Sequence, residues 1–217
     1  MRTTSKYAAA AAVAAAVLAT AAPAAAEETS GGWTVLDEGH VDVFGVAYED
    51  GELHLHVHDE ETDTEYEPGE AILAANPEAE TTVPDDPDYE FLGEAGDPVW
   101  ILPDTHVEGL LFAGWATEEI PTGAFADDTL TITVQDSIGS GDVALYTVDD
   151  FGDPDVMYDS DDGAGSWDVG AQGHGHLNWG FSEPGFYRFT VEAEGELAET
   201  GETVSTGETS YWFWVKE

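Results

Sequence analysis

Leu53-His54-Leu55-His56-Val57-His58-Asp59 alternates apolar and imidazole side chains with a period of two. Successive side chains of a strand point to opposite faces, so Leu53, Leu55 and Val57 would line a core while the three histidines share the other face. The same alternation recurs on both sides of this stretch. Residues 41–48 (Val-Asp-Val-Phe-Gly-Val-Ala-Tyr) read as a strand, and Thr-Leu-Thr-Ile-Thr-Val at 129–134 alternates cleanly. Segments 142–148, 186–193 and 208–215 are enriched in β-branched and aromatic residues. Shorter apolar pieces lie at 70–74, 99–102 and 109–115. Turn chemistry separates the segments at Glu49-Asp50-Gly51, Pro84-Asp85-Asp86-Pro87, Asp161-Asp162-Gly163 and Glu183-Pro184-Gly185. Beyond the N-terminal segment no stretch sustains a 3.6-residue period. The pattern predicts an all-β fold: an antiparallel immunoglobulin-like β-sandwich with long irregular loops. Without a cysteine pair, a true antibody-type domain is not implied. Residues 76–128, rich in Pro, Gly and Asp, are expected to form an irregular excursion from a single domain spanning 27–217.

The first residues read as a targeting segment. Arg2 and Lys6 precede an Ala/Val/Leu run from Ala8 to Ala19, and Ala24-Ala25-Ala26 before Glu27 fits a small-residue cleavage site. Residues 1–26 are therefore expected to be a secretory signal peptide. No cysteine follows it, which excludes a lipoprotein anchor. No later stretch is long and apolar enough to span a bilayer as a helix. The chain ends Tyr211-Trp212-Phe213-Trp214-Val215-Lys216-Glu217, with no sorting motif or hydrophobic tail. The expected location is extracellular, either free or associated with the cell surface.

Charge narrows the function further. The chain has 47 acidic residues against 4 basic ones, a formal net charge of −43. Beyond the signal segment only Arg188 and Lys216 are basic. Nucleic-acid binding is excluded, because phosphate neutralisation needs Lys and Arg. The 7 Trp, 8 Tyr and 9 Phe argue for a folded core rather than disorder. A solvated acidic surface resists precipitation in high salt, so a halophilic source is expected.

Cysteine is absent, so imidazole is the main soft ligand available, and it suits zinc, copper, iron or nickel. The histidines are clustered: His54, His56 and His58 on one strand, His174 and His176 as a second His-x-His, and His40 in Gly39-His40-Val41-Asp42. Residues i and i+2 of a strand lie about 6.5–7 Å apart on one face. Two such imidazoles can converge on an ion at about 2.0–2.1 Å, but three in a row cannot. The expected site is His40, His58, His174 and His176. Asp42 would be a further ligand or orient a ligand imidazole. His56 and the loop residue His106 are additional candidates. Zinc is the expected ion, with manganese or another divalent metal also open. Bland readings stand beside this one: His54 and His56 as solvent-facing strand residues, His174 and His176 as a hydrogen-bonded turn, and His106 as a surface residue. Asp159-Ser160-Asp161-Asp162-Gly163 is close to an acidic calcium loop but fails its spacing. No metalloprotease helix or nucleophile elbow is present, and no enzyme is expected.

A family resemblance covers nearly all of the chain after the signal segment. It is carried by Gly39-His40-Val41-Asp42 and by His174-Gly-His-Leu-Asn-Trp-Gly-Phe-Ser-Glu-Pro-Gly-Phe-Tyr-Arg188. Phe91-Leu92-Gly93, Gly96-Asp97-Pro98-Val99-Trp100-Ile101-Leu102-Pro103, Gly114-Trp115, Phe151-Gly152-Asp153-Pro154 and Asp159-Ser160-Asp161-Asp162-Gly163 add to it. These pieces resemble the actinobacterial surface-anchored proteins with a choice-of-anchor M domain, whose wall-associated repeat carries a His-x-His-x-Asn-Trp core. The resemblance implies a secreted or wall-held protein associated with ABC transporters that import zinc or manganese. Its partners would be a metal ion and such a transporter or a cell-wall component. The alternative is a non-catalytic surface interaction or carbohydrate-binding module, since Trp212 and Trp214 share one face of the terminal strand.

Overall fold

The computed structural model describes residues 32–217, so the expected signal peptide lies outside the described residues. Among these residues seventeen strands follow one another. They are β1 (Thr34–Leu36), β2 (Gly39–Glu49), β3 (Glu52–Asp59), β4 (Thr64–Tyr66), β5 (Ala71–Ala75), β6 (Glu80–Thr82), β7 (Pro98–Leu102) and β8 (Leu111–Ala116). There follow β9 (Thr129–Gly139), β10 (Val143–Val148), β11 (Pro154–Asp159), β12 (Gly165–Gly170), β13 (His174–His176), β14 (Asn178–Phe181), β15 (Gly185–Glu196), β16 (Thr203–Ser205) and β17 (Thr209–Val215). The fold is all-β, as the period-two segments predict.

The strands form three sheets. A seven-stranded sheet runs β1-β5-β17-β15-β9-β12, with β16 also on β15. Two five-stranded sheets run β11-β10-β14-β7-β6 and β13-β8-β2-β3-β4. Pairing is mostly antiparallel, but β1 with β5, β5 with β17, and β2 with β8 are parallel. The wholly antiparallel expectation is corrected at these three pairs. The physical reason is the path of the chain. After β1 it builds β2, β3 and β4 in another sheet, then returns as β5 in the same direction. Side-chain alternation carries no information about direction. Residues 76–128 contribute β6, β7 and β8 to the sheets.

One core joins all three sheets. Trp179 from β14 is fully buried and stacks on Phe213 of β17 at 4.7 Å. Phe44 of β2 packs against Trp179 at 5.3 Å and edge-on against Tyr211 of β17 at 5.1 Å. A short 3-10 helix, Pro87–Leu92, covers a second, smaller cluster of Val83, Leu92, Val99, Ala144 and Tyr146. The outer side of β15 and β17 is aromatic as well. Phe186 stacks on Trp214 at 5.7 Å, and Trp33 stacks on Trp212 at 6.1 Å. Lys216 lies 5.2 Å over the Trp214 ring, and Arg188 pairs in register with Trp212.

Two local features position the histidines. The first is a β-bulge in β2. Register slips by one residue between Asp42 and Gly45 against β3, and between Asp42 and Phe44 against β8. The extra residue sends both Val43 and Phe44 into the core, where each is fully buried. The second is a change of sheet at Leu177, between β13 and β14. His174 and His176 belong to the edge strand of one sheet, whereas Asn178 and Trp179 begin a strand of the other.

Candidate metal centre

The five-stranded sheet β13-β8-β2-β3-β4 carries three of the candidate ligands in one row. His58 of β3 faces Asp42 of β2, Asp42 faces Gly114 of β8, and Gly114 faces His176 of β13. Glycine at position 114 is required by this crossing. A Cβ there would lie 2.8 Å from His176 Nδ1 and would collide with the Gly175 carbonyl. Without it, the His176 ring lies across β8 and stacks on Phe112 at 3.4 Å and 12°. Gly114→Ala should therefore push His176 aside and cost about 1–3 kcal/mol, as overpacking does. Denaturant unfolding of the metal-free protein measures this, and an unchanged midpoint would show that the ring has room to yield.

The loop before β13 is fixed by a buried threonine. Thr117 donates its Oγ1 hydroxyl to the Gly170 carbonyl at 2.5 Å, and the same oxygen accepts the Gly173 N–H at 2.9 Å. Gln172, in the left-handed region at φ 58°, donates its side-chain amide to the Glu118 and Ile120 carbonyls. On the other side of the pair, Asn178 accepts the Asp104 N–H at 3.0 Å and donates to the Tyr146 carbonyl at 3.3 Å. The run His174-Gly175-His176-Leu177-Asn178-Trp179 thus has distinct tasks. Two imidazoles face outward, Gly175 leaves room for the Trp115 ring, Leu177 turns the chain between sheets, and Asn178 with Trp179 anchors it.

His40, His174 and His176 converge. Each places a ring nitrogen within 4.8 Å of the others, a group that could hold a metal ion. Ring centroids are 4.9 Å apart for His40–His174 and His40–His176, and 4.7 Å for His174–His176. Asp42 adds an oxygen: its Oδ1 lies 3.0 Å from His174 Nε2 and 3.5 Å from His40 Nε2, and the two Nε2 atoms are 3.0 Å apart. Ligand atoms at about 2.0–2.1 Å from a tetrahedral ion sit about 3.3 Å from one another. The triangle of 3.0, 3.0 and 3.5 Å fits that edge length.

The electrostatics also suit a cation. Asp42 is 1 % exposed, and its Oδ2 is buried with no hydrogen-bond partner. Burial raises its carboxyl above the usual range, while His174 and His40 pull it down in part. His176 Nδ1 is likewise buried without a partner. Burial lowers the His176 ring to about 4, helped by the neighbouring His174 and His40 and opposed by the Ala113 carbonyl. The ring is therefore neutral and ready to ligate across ordinary pH.

This shift has a consequence for the metal-free protein. The unfolded ring takes up its proton near 6.5 and the folded ring only near 4. Between those values the unfolded chain binds more protons, so the ring's contribution is complete above about 6.5 and is lost as pH falls toward 4. Asp42, whose carboxyl is raised, acts in the opposite sense, so the comparison must be made within one background. We expect the melting temperature of the parent to fall more steeply over this window than that of His176→Phe, which keeps the ring stack. Equal slopes would count against a neutral buried His176.

The remaining expected ligands are placed elsewhere. His58 does not join His40, His174 and His176. It is three strands from His176 across the sheet, about 14 Å at the usual strand spacing. It lies instead with Asp42 and Glu60, in a second group whose ligand atoms are within 4.8 Å of one another. His56 rests over Gly45, where a Cβ would collide with its ring, and belongs to neither group. His106 is exposed and meets Phe112 edge-on at 6.1 Å, outside both groups. Glu60 was not singled out by the sequence. One acid among 47 carries no signal of its own. The two acidic loops are turns: Asp159 accepts the Asp161 N–H, and Asp149 accepts those of Phe151 and Asp153. Comparison of the chain with family models, with curated proteins and with solved structures gives no match.

Proposed function

We propose that this is a secreted, non-enzymatic metal-binding protein that captures zinc through His40, His174 and His176, with Asp42 as the fourth ligand. The observation that carries the reading is the triangle of His40 Nε2, His174 Nε2 and Asp42 Oδ1, whose 3.0–3.5 Å edges match a tetrahedral ion. Three imidazoles and one carboxylate favour zinc over manganese, which prefers oxygen. Capture outside the cytoplasm and delivery to a metal ABC transporter, or retention at the cell wall, follow the resemblance to the surface-anchored proteins. The acidic surface would concentrate cations around the protein, and the imidazoles would choose among them.

The test is zinc titration of the full chain against a chelator of known affinity, at high salt so that exposed carboxylates are screened. His174→Ala with His176→Ala should weaken the tightest zinc by at least about a hundredfold, since even outer partners of a ligand are worth that much. A double variant that binds as tightly as the parent would remove the proposal.

A second reading is favoured by the outer aromatic stripe of β15 and β17. Phe186 is 54 % exposed and Trp33 40 % exposed, and both stack on tryptophans of β17 or its neighbourhood. Such a surface suits a sugar ring or a protein partner. Binding of soluble glycans that survives zinc removal and is lost in Trp212→Ala would support it.

A further inference from the structure

We propose that Asp42 is shared by two cation sites, so that the centre holds a pair of divalent ions. The first is the site on His40, His174 and His176, and the second is formed by Asp42, His58 and Glu60. This rests on the zinc-binding reading above and extends it.

The two oxygens of the Asp42 carboxylate differ in their partners. Its Oδ1 is taken up by His174 and His40 at 3.0 and 3.5 Å. Its Oδ2 is buried and receives no hydrogen bond, in a residue 1 % exposed. A buried carboxylate oxygen left without a donor is costly, and a cation is one of the few groups that removes the cost. The strand pairing supplies further ligands beside Asp42: His58 is directly across from it on β3. Asp42, His58 and Glu60 each bring a ligand atom within 4.8 Å of the other two.

His58 and Glu60 are held where they are needed. The turn after β3 is closed by Asp59, which accepts the Glu61 N–H at 3.0 Å and the Thr62 hydroxyl at 2.7 Å. The Glu60 N–H donates to the His40 carbonyl at 3.1 Å, tying this turn to the first site. Both ring nitrogens of His58 face acids: Nδ1 is 3.0 Å from Glu60 Oε1 and Nε2 is 3.5 Å from Asp63 Oδ1. One nitrogen can bind an ion while a carboxylate holds the other, the usual outer support of a ligand imidazole. No lysine or arginine is available to balance these acids, since the described chain has only Arg188 and Lys216, and both lie on the aromatic face of the other sheet. The second donor set, one imidazole with two carboxylates, is harder than the first and suits zinc or manganese.

The test counts ions and asks whether they are coupled. At high salt, the parent should bind two zinc ions per chain, and His58→Ala with Glu60→Gln should bind one. The remaining ion should keep its affinity to within about the ten- to hundredfold that outer partners are worth. Loaded with cobalt(II), the parent should show a weaker electron paramagnetic signal per ion than the variant, because one bridging carboxylate holds two ions about 3.5–4 Å apart. This second readout needs no folded variant, since the parent can be compared at one and two equivalents. One zinc in both parent and variant would overturn the pair and leave the zinc-binding reading intact. Two ions without magnetic coupling would overturn the sharing of Asp42. Tight zinc that survives His174→Ala with His176→Ala in the His58→Ala, Glu60→Gln background would overturn the zinc-binding reading itself.

Discussion

Asp42→Asn is expected to move stability and zinc affinity in opposite directions. In the metal-free protein the Asp42 carboxylate is buried, and one of its oxygens has no donor. An asparagine of the same shape removes the desolvated charge, so the metal-free protein should gain about 1–3 kcal/mol, the scale of an unsatisfied buried polar group. Zinc affinity should fall by at least about ten- to a hundredfold, because the oxygen 3.0 Å from His174 Nε2 loses its charge. Denaturant unfolding in chelator reads the first effect and chelator competition the second. If zinc affinity is unchanged, Asp42 is not part of the centre. If the metal-free protein is destabilised, its contacts with His40 and His174 outweigh its burial.

The largest loss of stability is expected at Trp179→Ala. Trp179 is fully buried and touches aromatic rings from both of the other sheets, with Phe44, Phe189 and Phe213 at 5.3, 5.7 and 4.7 Å. Removing a ring of this size leaves a cavity that the surrounding strands fill only partly, at a cost of about 3–5 kcal/mol. For a chain of this length each kcal/mol corresponds to about 2–4 °C, so the melting temperature should drop by roughly 6–20 °C. Zinc affinity should drop with it, because Trp179 follows Asn178, the anchor of the His174–His176 strand. A variant that melts within 2–3 °C of the parent would mean that the core closes over the gap, a smaller penalty than about 3 kcal/mol.

Alternation made the strands legible. Leu53, Leu55 and Val57 are buried, and the histidines between them face away from the core, as period two requires. The pairing of His174 with His176 and their meeting with His40 could also be read, from spacing and from Gly39-His40-Val41-Asp42. Strand order could not. His58 was expected beside His176, yet β2 and β8 lie between their strands. The β-bulge at Val43 and Phe44 looks in sequence like any apolar pair. Gly114 reads as a weak point in a strand until a ring is seen lying over it. Parallel pairs such as β2 with β8 arise from long-range chain return, which no local pattern encodes.

The residues of the first site are far apart along the chain. His40 and His174 are separated by 134 positions, and Asp42 and His174 by 132. No fragment with only one end of the protein can close this ring of ligands. In the proposed site the ligands are brought together by the long-range pairing of β13 with β8 rather than by a preformed local loop. Zinc that binds only the completed chain stabilises it in proportion to the logarithm of its concentration over Kd. Occupancy of the proposed site would thus report whether β13 has joined β8. His174 sits on a three-residue edge strand, its side chain 31 % exposed against 28 % for His40. In the proposed site, His174 on its edge strand would therefore be the ligand released first, with the sheets still closed.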